Sequence, residues 1–385
     1  MRIVHVTPHL PPDQAANALL PFQLGEWARD RGDTVEYLAH PPRAGKPAPI
    51  PGRVTWIPRT RGGVLQRWLR IGSFVNARRI IKAAKPIIDQ ADVVHIHSNG
   101  LLPELSAWIA ARHTKPIVLT LYGTEIWHYR PKRVIDLFTR AYRAASIVTF
   151  YSDRLLLRAR ELGLWRPDCR VIYPPVAAAF TYHSDHEQRD VRRALGLTQR
   201  HVIVNVKRLH PLAGQRYLID AMGDVIREFP DTRLVICGTG SLLQELNAAA
   251  RSAGVERHVT FAGLVDNAAV ARYCAAADLF VLPSILEALP TVAVEALACG
   301  TPVISSDNPG GLELNDLFGA DVEIVPREQF EPLARAIRTR LRNGRRTLPS
   351  TRATVEQRFR KDAVAEQYWR AYADAIARVS AAQET

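Results

Sequence analysis

Two glutamates eight positions apart carry the strongest chemical signal in the chain. They lie in the stretch 284–300, which reads SILEALPTVAVEALACG. Glu287 falls before Pro290, and proline suits the first turn of a helix because the amide it lacks would be unpaired there. Glu287 is therefore expected on the loop entering a helix. Glu295 is expected one to two turns inside it, and Gly300 is expected to end it. A helix N-terminus offers free backbone N–H groups and is a ready anion site. Carboxylates beside it can accept hydrogen bonds from hydroxyls. Phosphate plus hydroxyls is the description of a nucleotide sugar.

The elements that position such a pair come from the rest of the sequence. Short β-branched runs at 2–7, 34–38, 93–97, 117–121, 147–151 and 170–172 alternate with helical patterns such as 19–31. A second series follows at 202–206, 233–237, 259–262, 279–282 and 303–305, with a helical pattern at 216–228 among them. Strand–helix alternation predicts parallel sheets with helices on both faces. Two series predict two doubly wound domains. The paired prolines Pro174 and Pro175 mark the break between them. A final helix is predicted at about 360–378.

With 385 residues, 47% apolar and 23% charged, the chain has the size and composition of a two-domain globular protein and not of a disordered one. No apolar run approaches the ~20 residues that span a bilayer. The first residues read as a strand and not as a signal peptide. The four cysteines, Cys169, Cys237, Cys274 and Cys299, lack metal-ligand spacing. These features predict reduced thiols and a cytoplasmic protein.

Further segments fall where ligands of open α/β sheets bind, at the carboxyl ends of strands. NVKRLHPLAGQ at 205–215 ends one strand with Lys207 and Arg208. Gly238 and Gly240 end a second in a glycine turn, and a third runs out at Leu264 and Val265. Together with DVVHIH at 92–97, TLYGTE at 120–125, VIYPPV at 171–176 and GGLE at 310–313, they make the chain resemble the retaining family 4 glycosyltransferases. The resemblance covers nearly the whole length. It implies the α/β GT-B fold: two Rossmann-like doubly wound domains facing a central cleft, with a C-terminal helix crossing back to the N-terminal domain. The implied boundaries are 1–173 for the acceptor-side domain, 174–182 for the linker, 183–358 for the donor domain and 359–385 for the returning helix.

The resemblance also implies roles. Glu295 corresponds to the carboxylate that holds ribose hydroxyls, and Glu287 to the one near the donor sugar. Arg208 corresponds to a diphosphate-binding cation. Backbone amides around Leu289, Pro290, Thr291 and Val292 would hold phosphate or sugar oxygens. Gly238, Gly240, Leu264 and Val265 would line the nucleotide, with Ala16 contributing from the N-terminal side. Tyr122, Gly123 and Asn17 would face the acceptor or sugar. The implied reaction is retaining hexosyl transfer from a nucleotide diphosphate sugar, UDP ahead of GDP, to a hydroxyl acceptor. No Asp-x-Asp triplet is present, and neither metal nor other cofactor is expected. Alternatives are a nucleotide-sugar-binding protein with little turnover, or a nucleotide-sugar epimerase of the same fold, against which the two glutamates argue.

Three positions depart from the family pattern. Ala213 stands where a second cation is usual, so Lys207 is the candidate replacement, provided the backbone turns at Lys207–Arg208. Ala15 and Ala16 replace a glycine pair and limit close approach of backbone to phosphate. Tyr122 replaces a histidine, and its phenol can still hydrogen-bond a sugar hydroxyl.

The charge is unevenly placed. Residues 1–178 hold 26 Lys+Arg against 13 Asp+Glu, while the remainder is balanced at 25 against 25, so the whole excess of +13 lies in the first half. Within 59–85, Arg67, Arg70, Arg78 and Lys85 share one side of a helix with Phe74 and Ile81, while Trp68 and Val75 face elsewhere. Such a helix fits either an anionic membrane surface or a packed position with a solvated basic face. The first reading makes the chain peripheral on the inner face of the cytoplasmic membrane, with a lipid-linked or cell-envelope glycan as acceptor. No nucleic-acid-binding motif accompanies the charge, and no nucleic-acid partner is expected.

Overall fold

The computed structural model describes residues 1–13, 15–42, 45–59, 71–131 and 136–384. The chain forms two compact units, one of residues 1–174 with 364–385 and the other of residues 175–363.

In the first unit the strands are β1 (Arg2–Thr7), β2 (Thr34–Ala39), β3 (Arg53–Trp56), β4 (Val93–His97), β5 (Ile117–Leu121), β6 (Ile147–Phe150) and β7 (Cys169–Val171). They form one parallel sheet in the order β3-β2-β1-β4-β5-β6-β7. Strands β4, β5 and β6 are buried at every residue, and β5 and β6 read as unbroken apolar or β-branched runs, while β4 carries the buried His95 and His97. The second unit holds β8 (His201–Val206), β9 (Thr232–Cys237), β10 (Val259–Gly263), β11 (Leu279–Leu282), β12 (Val303–Ser306) and β13 (Val322–Val325). Their order is β10-β9-β8-β11-β12-β13, again all parallel.

Strand order reverses direction between β1 and β4 in one sheet and between β8 and β11 in the other. Each reversal opens a crevice outside the strands' carboxyl ends, because the flanking connections run to opposite faces. Two strands were not anticipated, β3 and β13. Both are four-residue edge strands with incomplete burial, and β3 sits between Pro51 and Pro58, so neither carries the apolar run of a central strand.

The C-terminal helix, Lys361–Glu384, buries Val364, Ala365, Tyr368, Ala371, Tyr372 and Ala375, a three-and-four spacing that makes one apolar face. That face shares a core with Ile3, Val93, Val118 and Ile147 of the first sheet. Each buried tyrosine removes about 150–250 Å² from water, on the order of 4–6 kcal/mol gross. Arg170 and Asp374 add an ion pair at 2.5 Å.

Beneath this helix lie three fully buried histidines, His5, His95 and His97. His5 Nδ1 pairs with His97 Nε2 at 2.9 Å, and His97 Nδ1 pairs with the Tyr122 hydroxyl at 2.7 Å. His95 pairs with the Tyr372 hydroxyl at 2.8 Å and with Thr120 Oγ1 at 2.7 Å. Burial disfavours the imidazolium and pushes all three pKa values down, that of His5 to about 3. Both nitrogens of His95 and His97 are spent within the cluster and on hydroxyls, while His5 Nε2 is buried without a partner, and the cluster couples β1, β4 and β5 to the C-terminal helix. No helix among the described residues is long and apolar enough to cross a membrane.

Candidate active site

At the switch point of the second sheet, β8 ends at Val206 and the chain turns through Lys207 and Arg208. That turn lies against the one after β9. Lys207 N–H donates to the Cys237 carbonyl at 3.0 Å, Leu209 N–H to Thr239 at 3.0 Å, and Gly238 N–H to Gly263 at 2.7 Å. A Cβ at Gly238 would stand 2.1 Å from the Lys207 carbonyl oxygen, and one at Gly240 would stand 2.1 Å from that of Leu209. Gly238 also has φ +144. The side-chain positions expected to leave room for a ligand are filled by backbone, and the Gly238 amide is already used. Both glycines are thereby explained as packing positions that hold two strand ends together. Gln215, fully enclosed, donates from Nε2 to the carbonyls of Arg208 at 3.2 Å and Lys207 at 3.4 Å. It stabilises the turn on which any Lys207 substitution for the missing cation depends.

The loop after β11 is pinned from both sides. Ile285 N–H donates to Leu212 at 2.9 Å, Gly310 N–H to Glu287 at 3.0 Å, and Asn308 Nδ2 to Ser284 at 2.8 Å. A Cβ at Gly310 would stand 2.9 Å from both Glu287 Cβ and Pro290 Cδ, so the glycine lets the next helix approach the Glu287 loop. Pro290 is the N-cap of the helix Thr291–Ala298 and has no side-chain cap. The first-turn N–H groups of Thr291 and Val292 have no intrahelical acceptor. Pro290 itself has no N–H, and the Leu289 and Pro290 side chains are buried. Of the four positions expected to supply amide donors, Pro290 alone has no N–H to offer.

Here the two key side chains meet: Lys207 Nζ forms an ion pair with Glu287 Oε1. Their side chains are 31% and 12% exposed, so the pair is shielded on the carboxylate side and open on the ammonium side. The Arg208 side chain is exposed and makes no hydrogen bond or ion pair among the described residues. Ala213 is 2% exposed and presents only a buried methyl. Glu295, one turn into the helix, has no side-chain partner among the described residues, and burial pushes its pKa up to about 7. Leu264, 69% exposed at the end of β10, is a large apolar side chain left uncovered, with Val265 half-buried beside it.

In the first unit, a cleft of about 560 Å³ opens at the switch point. Its lining includes Pro8 and His9 beyond β1, Ser98 and Asn99 beyond β4, and Thr124 beyond β5. Asn17 lines it, with its Oδ1 buried and unpartnered. Ala16 is the exposed first residue of the helix Ala16–Asp30, whose N-cap Ala15 supplies no side-chain acceptor.

Tyr122 departs from expectation. Its hydroxyl points into the core, bonded to His97, and so is not offered to a sugar. The Tyr122 and Gly123 amides are taken by Glu125 Oε2, at 3.2 and 2.9 Å. Gly123 has φ +147, which only glycine adopts readily, so its role is to shape the turn. Glu125, buried and also bonded to Ser98 Oγ, organises this rim and was not anticipated. A carboxylate two residues beyond a glycine is the signal that marks it.

Two parallel sheets with paired switch points, a polar cleft on one, and cation, carboxylates and open helix N-terminus on the other define a glycosyltransferase of the GT-B fold. Residues 187–362 match the family model for glycosyl transferases group 1, and residues 22–180 match that for glycosyltransferase family 4. The chain belongs to the family 4 glycosyltransferases. It is 31% identical over 274 residues to the GDP-mannose-dependent alpha-(1-6)-phosphatidylinositol monomannoside mannosyltransferase of Mycolicibacterium smegmatis, a match covering 68% of this chain and 71% of that protein. It is 28% identical over 372 residues to the phosphatidyl-myo-inositol mannosyltransferase of Mycobacterium leprae, covering 91% of each. Among solved structures, Anabaena HepE in complex with UDP is similar in fold, with a TM-score of 0.75, 19% identity, and coverage of 96% of this chain and 99% of that one.

Proposed function

We propose that this glycosyltransferase moves a hexose from a guanosine or uridine diphosphate sugar to a hydroxyl acceptor, with retention of configuration and without a metal. The observation that carries the reading is the Lys207–Glu287 pair beside Arg208 and the uncapped helix at Thr291. As the glycosidic bond to the diphosphate breaks, negative charge grows on phosphate and positive charge on the anomeric carbon. Lys207, Arg208 and the Thr291 and Val292 amides are the donors that stabilise the phosphate charge. Glu287, paired with Lys207, accepts from hydroxyls of the sugar, and Glu295 accepts from the ribose. The acceptor oxygen attacks on the face the phosphate leaves, and the departing phosphate takes its proton, so no protein nucleophile is needed.

GDP-mannose is named for the Mycolicibacterium relative, which favours testing a guanosine donor alongside the uridine donor expected from the motifs. That relative and its Mycobacterium leprae counterpart are named for phosphatidylinositol-based acceptors, which supports a lipid-linked acceptor. A membrane-facing surface would suit one. On the helix Ile71–Asp89, Phe74 is 60% exposed and Val75 41% exposed, with Arg78 stacked on the Phe74 ring at 4.8 Å and Lys82 and Lys85 exposed further along. Apolar and basic side chains presented together fit anionic lipid. Arg67, Trp68 and Arg70 lie outside the described residues. The proposal is tested by donor turnover in the wild-type chain and in the Glu287→Gln and Arg208→Ala variants, which should fold and fail to transfer.

A further inference from the structure

A second basic site lies at the opposite end of the second sheet from the candidate donor loops. Lys207 follows the carboxyl end of β8 and Glu287 follows that of β11. A cavity of about 310 Å³ opens at the amino ends of the same two strands, beside His201 and Asp278. β8 is six residues long, so the two places are about 17 Å apart along the strand. The whole lining belongs to the second unit. Three segments build it. The helix Asp185–Ala194, started by a capping box between Ser184 and Glu187, turns Asp185, Gln188, Arg189 and Arg192 toward the cavity, a three-and-four spacing that defines one helix face. Arg200 and His201 enter at the start of β8, and Arg345 and Arg346 follow the helix Phe330–Asn343. Five arginines thus meet two lining carboxylates, Asp185 and Asp278, and Asp321 behind Arg345 leaves an excess of two positive charges. The C-terminal half of the chain is charge-balanced as a whole, so the excess is local.

The arginines differ in what they have left to give. Arg345 is paired, with Nη1 at 2.6 Å from Asp321 Oδ1 and Nη2 donating to the Ala320 carbonyl at 3.0 Å. Arg346 is half-buried and donates to the carbonyls of His183 at 3.1 Å, Ala277 at 2.9 Å and Cys299 at 2.5 Å. No carboxylate is in ion-pair contact with it among the described residues, so its donors are satisfied and its charge is not; burial pushes its pKa down. Arg192 donates from Nε to the Ala276 carbonyl at 2.6 Å. Its Nη2 lies 2.5 Å from Asp278 Oδ1 yet outside hydrogen-bond geometry, which leaves a buried donor unsatisfied. Asp278 is otherwise engaged, its Oδ2 accepting from Val202 N–H at 2.8 Å. The side chains of Arg189 and Arg200 are exposed and make no hydrogen bond or ion pair among the described residues. Free guanidinium forks, an unsatisfied N–H and an uncompensated charge in one concave site suit phosphate, whose oxygens accept paired N–H donors. No exposed large apolar side chain lines the cavity among the described residues, so it offers nothing to a bilayer and fits a soluble ligand.

We propose that this cavity is a second anion site, which binds the di- or polyphosphate group of a soluble small molecule. Arg189, Arg200 and Arg192 supply N–H donors to it, and Arg346 supplies charge from behind. The ligand ties the helix Asp185–Ala194 to the segment after the helix Phe330–Asn343. The site is separate from the candidate donor loops, and nothing in it depends on the transferase reading.

The test is calorimetric titration of the full chain with inorganic pyrophosphate at fixed ionic strength. It is run in the Arg208→Ala chain, which removes the exposed cation of the donor loops and so isolates the second site. That chain should bind pyrophosphate with a Kd below about 1 mM. Adding Arg189→Ala or Arg200→Ala should weaken binding by about 5- to 10-fold each, and both together by about 30- to 100-fold, since each removes charge-assisted hydrogen bonds at a partly solvated site. Both side chains are exposed and unpaired, so these variants should keep the parent's unfolding temperature without ligand, which reports folding. Arg193→Ala, exposed on the same helix and outside the cavity, should leave binding unchanged. No binding by the Arg208→Ala chain, or equal binding with and without the Arg189 and Arg200 substitutions, overturns the inference. An equal loss from Arg193→Ala also overturns it, because the effect is then one of diffuse charge.

Discussion

Lys207 is the residue on which the altered phosphate clamp turns, and Lys207→Met isolates its charge. Methionine keeps an unbranched stem and so preserves most of the packing while removing the ammonium. The structural cost follows from the ion pair with Glu287. Removing one partner of a fully buried pair costs about 3–5 kcal/mol. Lys207 is 31% exposed, and water can solvate part of the freed carboxylate, so a loss of about 1–2 kcal/mol of stability is expected. The catalytic cost is larger. Ala213 offers only a buried methyl, leaving Lys207 and Arg208 as the cations of the β8 turn. Loss of one preorganised donor to developing charge costs about 3–4 kcal/mol, or roughly 10²- to 10³-fold in turnover. The assay is release of nucleoside diphosphate from the sugar nucleotide, with thermal unfolding followed in parallel. A large fall in turnover with a small fall in stability supports the relocated cation. Turnover within about twofold of wild type would refute it.

Three further outcomes follow from the same geometry. Glu295 has its pKa raised by burial to about 7, so the native state binds its proton more tightly than the unfolded chain does. Its contribution is fully present below about pH 4.5 and is lost as pH rises through 7, so Glu295→Gln should be more stable than wild type by up to about 3 kcal/mol at pH 8 and nearly equal to it at pH 4.5. Denaturant unfolding at both pH values checks this, and a pH-independent difference contradicts it. The buried histidines act in the opposite direction. His5 is held neutral down to about pH 3 and titrates at its ordinary 6.5 when unfolded, so acid should destabilise the first unit as pH falls from 6.5 toward 3, by about 5 kcal/mol from His5 alone. Near-UV circular dichroism of the tyrosine-rich cluster should decay in that window; an unchanged signal at pH 4 counts against it. Finally, the chain should co-sediment with phosphatidylserine-containing vesicles and not with neutral ones, and Phe74→Ser with Arg78→Glu should weaken that binding; no co-sedimentation by wild type removes the membrane face.

The central strands were legible because burial on both faces writes a run dominated by apolar and β-branched residues, as in Ile117–Leu121 and Ile147–Phe150. Arg53–Trp56 and Val322–Val325 were not, because an edge strand has one neighbour and needs no such run. Glu287 and Glu295 were legible because a proline, a helix start and their eight-residue separation lie within one short stretch. Lys207 as the replacement cation was only conditional in the sequence, since it depends on a turn held by Gln215 and permitted by Gly238 and Gly240, and its pairing with Glu287 was not anticipated. Tyr122 was misread for a related reason. Which way its phenol points is decided by His97 on the neighbouring strand, a partner 25 residues away.

The most direct test of the account is a donor panel of GDP-, UDP- and ADP-hexoses, read first by thermal shift and then by slow hydrolysis in wild type, Glu287→Gln and Arg208→Ala. The account predicts that a GDP- or UDP-hexose stabilises the wild-type chain and is turned over. It also predicts that both variants remain folded and lose turnover. Wild-type protein that neither binds nor cleaves any of these donors, or variants with undiminished turnover, would contradict it.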